Sequence, residues 1–115
     1  MSERFKILFV CGRNQWRSPT AERIYRNDDR VAVRSAGCAS SSPRTVTRDD
    51  LDWADLVLVM DRSYAERIKA QFPGLADFPP MESLEIPDDY ALMDKELIDL
   101  ISSGTEPYIE AHRAS

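Results

Sequence analysis

The sequence predicts an α/β domain of three layers, with a four-stranded parallel sheet in the order 2-1-3-4. Three observations point there. The apolar runs at 5–10 and 56–60 are too continuous for strands with one wet face, and suit strands covered on both. Helical patterns separate the β-type runs, which gives parallel βαβ units. The chain has 115 residues, the size of a single domain spanning 1–115 with one core and no internal linker.

Each element has its own local signal. Phe5 to Val10, interrupted only by Lys6, is the first strand. A helix follows over about 19–27, with Ala21, Ile24 and Tyr25 on one face, Ser18 as its N-cap and Pro19 at its first position. Val31, Val33 and Ser35 alternate with Ala32 and Arg34 in the second strand, and Gly37 to Pro43 is a loop. Thr47 caps a short helix through about Ala54, with Asp49 and Asp50 in its first turn. Leu56 to Met60 is the third strand. Ser63 and Glu66 have capping-box spacing, and the helix they open carries Tyr64, Ile68 and Phe72 on one face until Pro73-Gly74 ends it. Ser83 to Ile86 is expected to form the fourth strand. Asp94 caps a helix bearing Leu97, Ile98 and Ile101; Gly104 is expected to stop it, and a separate short helix covers 106–113.

Composition narrows the function. The net charge of −5 argues against general nucleic-acid binding. No run of 18 apolar residues is present, so no membrane association is expected. The first residues lack a long apolar signal core, so a cytoplasmic location is expected. Two cysteines, Cys11 and Cys38, make neither a disulfide framework nor a zinc site, and no metal or organic cofactor is implied. The charge is uneven. Residues 1–48 hold 10 of the 15 Lys and Arg and 4 of the 20 Asp and Glu, a net of +6, which leaves −11 on residues 49–115. A basic half that contains Cys11 suits an anionic substrate.

The chemistry gathers in Cys11-Gly12-Arg13-Asn14-Gln15-Trp16-Arg17-Ser18. A tight loop between a strand and a helix N-terminus turns several backbone N–H groups into one bowl, and the helix dipole adds positive charge. A thiol on the floor of that bowl is favoured as thiolate, the nucleophilic form. Arg17 offers two phosphate oxygens a planar fork. Asn14 tolerates the left-handed backbone that a tight bowl needs, and the Ser18 hydroxyl is able to donate to the Cys11 sulfur. Ligands in open α/β sheets sit where the strand order reverses, between strands one and three, so Cys11 and Asp61 are both expected to border the crevice.

The residues Val10-Cys11, Asn14 and Arg17-Ser18-Pro19 together resemble the signature of the low-molecular-weight protein tyrosine phosphatases. Ser35-Ala36-Gly37, Ala54-Asp55-Leu56 through Met60-Asp61, and Ile86-Pro87-Asp88-Asp89-Tyr90 match further stretches in the same order. The resemblance implies a phosphotyrosine phosphatase-like fold and a phosphomonoesterase acting on a phosphotyrosine protein or a small aryl phosphate through a cysteinyl-phosphate. Phosphate-like oxyanions are then inhibitors. It implies Cys11 as nucleophile, Arg17 as phosphate ligand and Asp88 as general acid. Gly12 to Trp16 and Ser18 form the cradle, and Ser35 and Asp61 support it. Arg13, Trp16 and Tyr90 line the mouth, where an aromatic ester would stack.

The departures from that pattern carry information. Arg13 stands where the usual loop has Gly, and Trp16 where it has a second Cys able to protect the nucleophile as a disulfide. The segment between Gly37 and Ala54 is short, and Asp88-Asp89 replaces Asp-Pro. They bear on substrate range more than on reaction type. Two rival readings follow from the same residues. One is a thiol-dependent arsenate reductase, which needs relay cysteines where only Cys38 is present. The other is a phosphate-binding module without turnover.

Overall fold

A computed structural model describes residues 4–114. Its sheet is made of β1 (Phe5–Cys11), β2 (Val31–Gly37), β3 (Leu56–Val59) and β4 (Met81–Ser83), in the order β2-β1-β3-β4 with every pairing parallel. Four helices cover it: α1 (Arg17–Tyr25), α2 (Arg48–Trp53), α3 (Arg62–Gln71) and α4 (Lys95–Ala114). The expected class, layering and strand order are those observed.

Alternation along β1 divides the core in two. Phe5, Ile7, Phe9 and Cys11 point into a cluster with Ala21 and Tyr25 of α1 and Leu97, Ile101 and Ile109 of α4. Leu8 and Val10 point into the other, with Cys38, Leu51 of α2 and Ile68 of α3. Residues 7 to 10 of β1 have no exposed surface, as their unbroken apolar run demanded.

Four boundaries differ from expectation, each for a physical reason. The helix after β3 is capped by Asp61, whose carboxylate accepts from the Ser63 backbone N–H at 2.8 Å and from its hydroxyl at 2.7 Å; Ser63 is therefore inside the first turn. The edge strand ends at Ser83 because Glu85 has φ 52°, off the extended path, and its carboxylate bonds the Ser83 hydroxyl and the Arg62 N–H instead.

Ser18 does not cap α1. The helix begins at Arg17, no side chain caps it, and the buried Ser18 hydroxyl turns back towards Cys11. Finally, α4 runs through Gly104 and Pro107 without a break. Ending it at Gly104 would give up the burial of Ile109, roughly 1.5–3 kcal/mol, and the bonds from Tyr25 and Arg30 to Glu106. Gly104 is there for proximity: a Cβ would fall 2.8 Å from Leu84 Cδ2.

Asp94 caps α4 through the backbone N–H groups of Glu96 and Leu97. Thr47 and Asp50 form a reciprocal capping box at α2. Asp50 also receives Arg34 and Arg44 at 3.1 and 2.6 Å while its own side chain is buried. This pins α2 against the end of β2, where Arg44 also donates to the Ser35 carbonyl.

Candidate active site

The loop from Gly12 to Trp16 leaves the C-terminal end of β1 and wraps a sulfur atom. Cys11 Sγ accepts the Asn14 backbone N–H at 3.1 Å and lies 3.0 Å from Ser18 Oγ. Asn14 makes that turn possible with φ 56°, a left-handed conformation that asparagine tolerates better than most residues. Ser18 Oγ also lies 2.9 Å from the Asn14 side-chain oxygen and 3.3 Å from the Ala36 carbonyl. A hydroxyl has one hydrogen, so these contacts compete. An Asn14 amide turned to present its NH2 lets Ser18 accept from Asn14 and donate to sulfur.

Arg17 is 3% exposed, at the first position of α1. Its Nη1 donates to the Ile86 carbonyl and its Nη2 to the Tyr64 hydroxyl, both at 2.8 Å. Its Nε is buried without a hydrogen-bond partner, 3.5 Å from Asp88 Oδ1. An unsatisfied guanidinium N–H is costly to bury and calls for an acceptor.

These groups share one cavity of about 630 Å³. Cys11, Gly12, Arg13, Gln15, Trp16, Arg17 and Asp88 line it, so seven residues expected at the site meet there. Asn14 and Ser18 stand behind the wall as braces. The opposite wall is the loop after β2. Ala39 N–H and the Ser42 hydroxyl donate to the Gly12 carbonyl at 2.8 and 3.2 Å, and Ala39 and Ser41 face the cavity. Gly37 admits this approach, since a Cβ there would fall 2.9 Å from the Arg13 carbonyl carbon.

Three expected residues sit elsewhere. Tyr90 packs against the α1–α4 core cluster and donates to Glu96 at 2.5 Å, so it is not in the cavity wall. Asp61 caps α3 and is not in the cavity wall, though it lies within electrostatic reach of Arg17. The Ser63 N–H and hydroxyl hold its carboxyl below the usual range. Ser35 is buried and donates to Glu22 at 2.5 Å, one step removed from the loop.

No known family profile and no characterised protein sequence matches this chain. Solved structures do. YwlE arginine phosphatase from Geobacillus stearothermophilus is 22% identical, over 96% of this chain and 94% of its own, with a TM-score of 0.75. SP-PTP, a low molecular weight protein tyrosine phosphatase from Streptococcus pyogenes, is 18% identical over 92% and 91%, with a TM-score of 0.74. The tyrosine phosphatase Wzb from Escherichia coli K30, solved with phosphate, is 22% identical over 95% and 99%, with a TM-score of 0.67. The chain has the fold of the low-molecular-weight protein tyrosine phosphatases.

Within this phosphatase fold, sequence reasoning missed Tyr64 and Arg67. Both line the cavity from α3. Tyr64 reads as a core position because it shares a face with Ile68 and Phe72. The available signal was topological: α3 follows β3, which flanks the point where strand order reverses, so its first turns face the crevice. Arg67, from the acidic half, joins Arg13 and Arg17 around the cavity. Among the described residues no helix is long and apolar enough to cross a membrane.

Proposed function

We propose that this protein is a cysteine-dependent phosphomonoesterase acting on phosphotyrosine or related aryl phosphates. The observation that carries the reading is Cys11 Sγ at the floor of the cavity, ringed by the Asn14 N–H and the Ser18 hydroxyl, beside a buried Arg17 with a spare N–H. In the proposed reaction the Cys11 thiolate attacks phosphorus in line and the P–O bond to the phenol breaks. Asp88 gives its proton to the departing oxygen. The loop amides and Arg17 hold the charge of the transferring group. Water, losing a proton to Asp88, then attacks phosphorus, releases phosphate and restores the thiolate. The chemistry calls on no metal or organic cofactor.

The similar structures include both tyrosine and arginine phosphatases, so phosphoarginine is the natural comparison substrate. Arsenate reduction is less well supported. Cys38, the one other thiol, sits in the core cluster on the opposite side of the sheet from Cys11.

The test is release of phosphate from an aryl phosphate, a phosphotyrosine peptide and a phosphoarginine peptide by the wild type and Cys11→Ser. Turnover of the aryl and phosphotyrosine substrates, lost in Cys11→Ser while phosphate still binds, is expected. Turnover at the wild-type rate in Cys11→Ser overturns the covalent mechanism. Phosphate binding with no turnover of any substrate leaves a binding module.

A further inference from the structure

The cavity mouth holds more positive charge than one transferring phosphate requires. Arg13 and Arg67 line it beside Arg17, against one carboxylate, Asp88. Both are exposed, and among the described residues neither side chain has a hydrogen bond or an ion pair. Arg30, Arg34 and Arg44 are neutralised by carboxylates; Arg23, Arg26 and Arg62 are also exposed without an ion pair among the described residues, so what sets Arg13 and Arg67 apart is that they share one cavity. The chain as a whole is acidic, with a net charge of −5. An acidic surface with a basic cleft repels anions broadly and gathers them at one place.

The two arginines come from different elements. Arg13 rises from the loop after β1, and Arg67 stands on α3, three residues beyond Tyr64 and on the same helix face. Arg17 is buried at the floor and is the arginine a transferring phosphate engages. Arg13 and Arg67 stand at the rim, where a second group on the same substrate would pass. The volume of about 630 Å³ is in the range that accommodates a ligand well beyond a phosphate group. Trp16, 45% exposed on the same mouth, offers a flat apolar surface for a peptide to lie against.

We propose that Arg13 and Arg67 form a second anion subsite and that the substrate is an acidic phosphopeptide segment, with carboxylate side chains flanking the phosphorylated residue. The proposal rests on the phosphatase reading above. A guanidinium fork matches a carboxylate in bidentate fashion, so each arginine is able to take one flanking Asp or Glu. Exposed pairs are individually weak, and the effect appears as preference among substrates instead of as a requirement.

The experiment compares kcat/KM for two phosphotyrosine peptides, one with flanking Glu and one with flanking Ala. Phenyl phosphate serves as a substrate with no flanking group. Wild type is expected to favour the acidic peptide by about 2- to 30-fold, two exposed ion pairs at their usual strength. The preference shrinks between roughly 0.01 and 0.15 M salt, as the screening length falls from about 30 to 8 Å. Arg67→Glu abolishes most of it, since the attraction of Arg13 and the repulsion of the new carboxylate then oppose each other. Because the readout is a ratio within each variant, a general loss of activity cancels. Equal kcat/KM for both peptides in the wild type, with phenyl phosphate still hydrolysed, overturns the second subsite and leaves the phosphatase reading standing. So does an acidic preference unchanged in Arg67→Glu. No hydrolysis of phenyl phosphate or of either peptide overturns the phosphatase reading, and the subsite with it.

Discussion

The Tyr64 hydroxyl accepts a hydrogen bond from Arg17 Nη2 at 2.8 Å, and the guanidinium carbon lies 5.4 Å from the centre of the Tyr64 ring. The same oxygen would lie 3.2 Å from a Cβ at Gly12, so a side chain at that loop position would crowd the hydroxyl that holds Arg17. Together with the Ile86 carbonyl it fixes two of the three nitrogens of a buried fork before any ligand arrives.

In the proposed reaction Tyr64 is accordingly a positioning residue. Tyr64→Phe keeps the ring and removes the acceptor. A hydrogen bond of this kind contributes about 0.5–1.5 kcal/mol, so kcat/KM should fall roughly 2- to 10-fold. Inhibition by vanadate should weaken by a similar factor, because a loosened Arg17 binds any phosphate-like oxyanion less well. A fall in melting temperature with unchanged vanadate inhibition would show that Tyr64 serves the fold and not Arg17.

Asp50 should contribute to how the fold responds to acid. Burial pushes its carboxyl up, but the Arg44 guanidinium and the Thr47 N–H outweigh that and hold it below the usual carboxylate range. A carboxylate depressed in the folded state stabilises the fold above its unfolded pKa, about 3.9, and that stability is lost as pH falls through the folded value. Asp28, bonded by Arg30, and Glu106, bonded by Arg30 and Tyr25, act in the same direction. Stability should therefore decline as pH drops below about 4. Asp50→Asn should cost about 1–3 kcal/mol near neutral pH and flatten that decline. Urea denaturation at pH 7 and pH 3 measures both; an unflattened acid limb in Asp50→Asn would show that other groups dominate it.

The parts of the fold legible in the sequence were those carried by local pattern. Residues 7–10 announced a strand buried on both faces, and Thr47 and Asp94 announced their helices through capping chemistry. The errors came where tertiary contacts outweigh local preference. Gly104 read as a stop with a separate helix after it, yet Ile101, Thr105 and Ile109 keep one buried face running past it and past Pro107. Tyr90 read as a mouth residue through the resemblance, but its ring packs against the core. In the site, Cys11, Arg17 and the loop between them were legible because their spacing is local. Tyr64 and Arg67 were not, because only folding brings α3 over the loop.

Oxidation should strike Cys11 without a protective partner. Trp16 occupies the position from which a neighbouring thiol would answer. Cys38 is buried on the other side of the sheet from Cys11, and burial pushes its thiol up, away from the reactive form. Mild peroxide should abolish the proposed activity through sulfenic and then sulfinic acid at Cys11. Mass spectrometry that finds a Cys11–Cys38 disulfide as the main product would overturn this.

In the proposed reaction the general acid is whichever of two adjacent carboxylates borders the cavity. Asp88 lines the cavity and approaches Arg17 Nε at 3.5 Å, while its side chain keeps 63% of its surface exposed, so it meets both the site and the solvent that resupplies protons. Asp89 is exposed and is not among the cavity residues. Ile86 explains the difference. It is buried, its N–H donates to the Met60 carbonyl, and its own carbonyl takes Arg17 Nη1, so the backbone two residues before Asp88 is held from both sides. Pro87 then narrows the path between that anchor and Asp88. A leaving oxygen needs a proton least when its phenol is already acidic. Asp88→Asn should therefore slow hydrolysis of phosphotyrosine by about 10²- to 10⁴-fold, the usual worth of a positioned acid, and that of a nitrophenyl phosphate far less. Asp89→Asn should change either by less than about 3-fold, as exposed substitutions usually do. Equal losses on both substrates in Asp88→Asn would mean that Asp88 acts through Arg17 and not as the acid. A steeper leaving-group dependence in Asp89→Asn would move the role to Asp89.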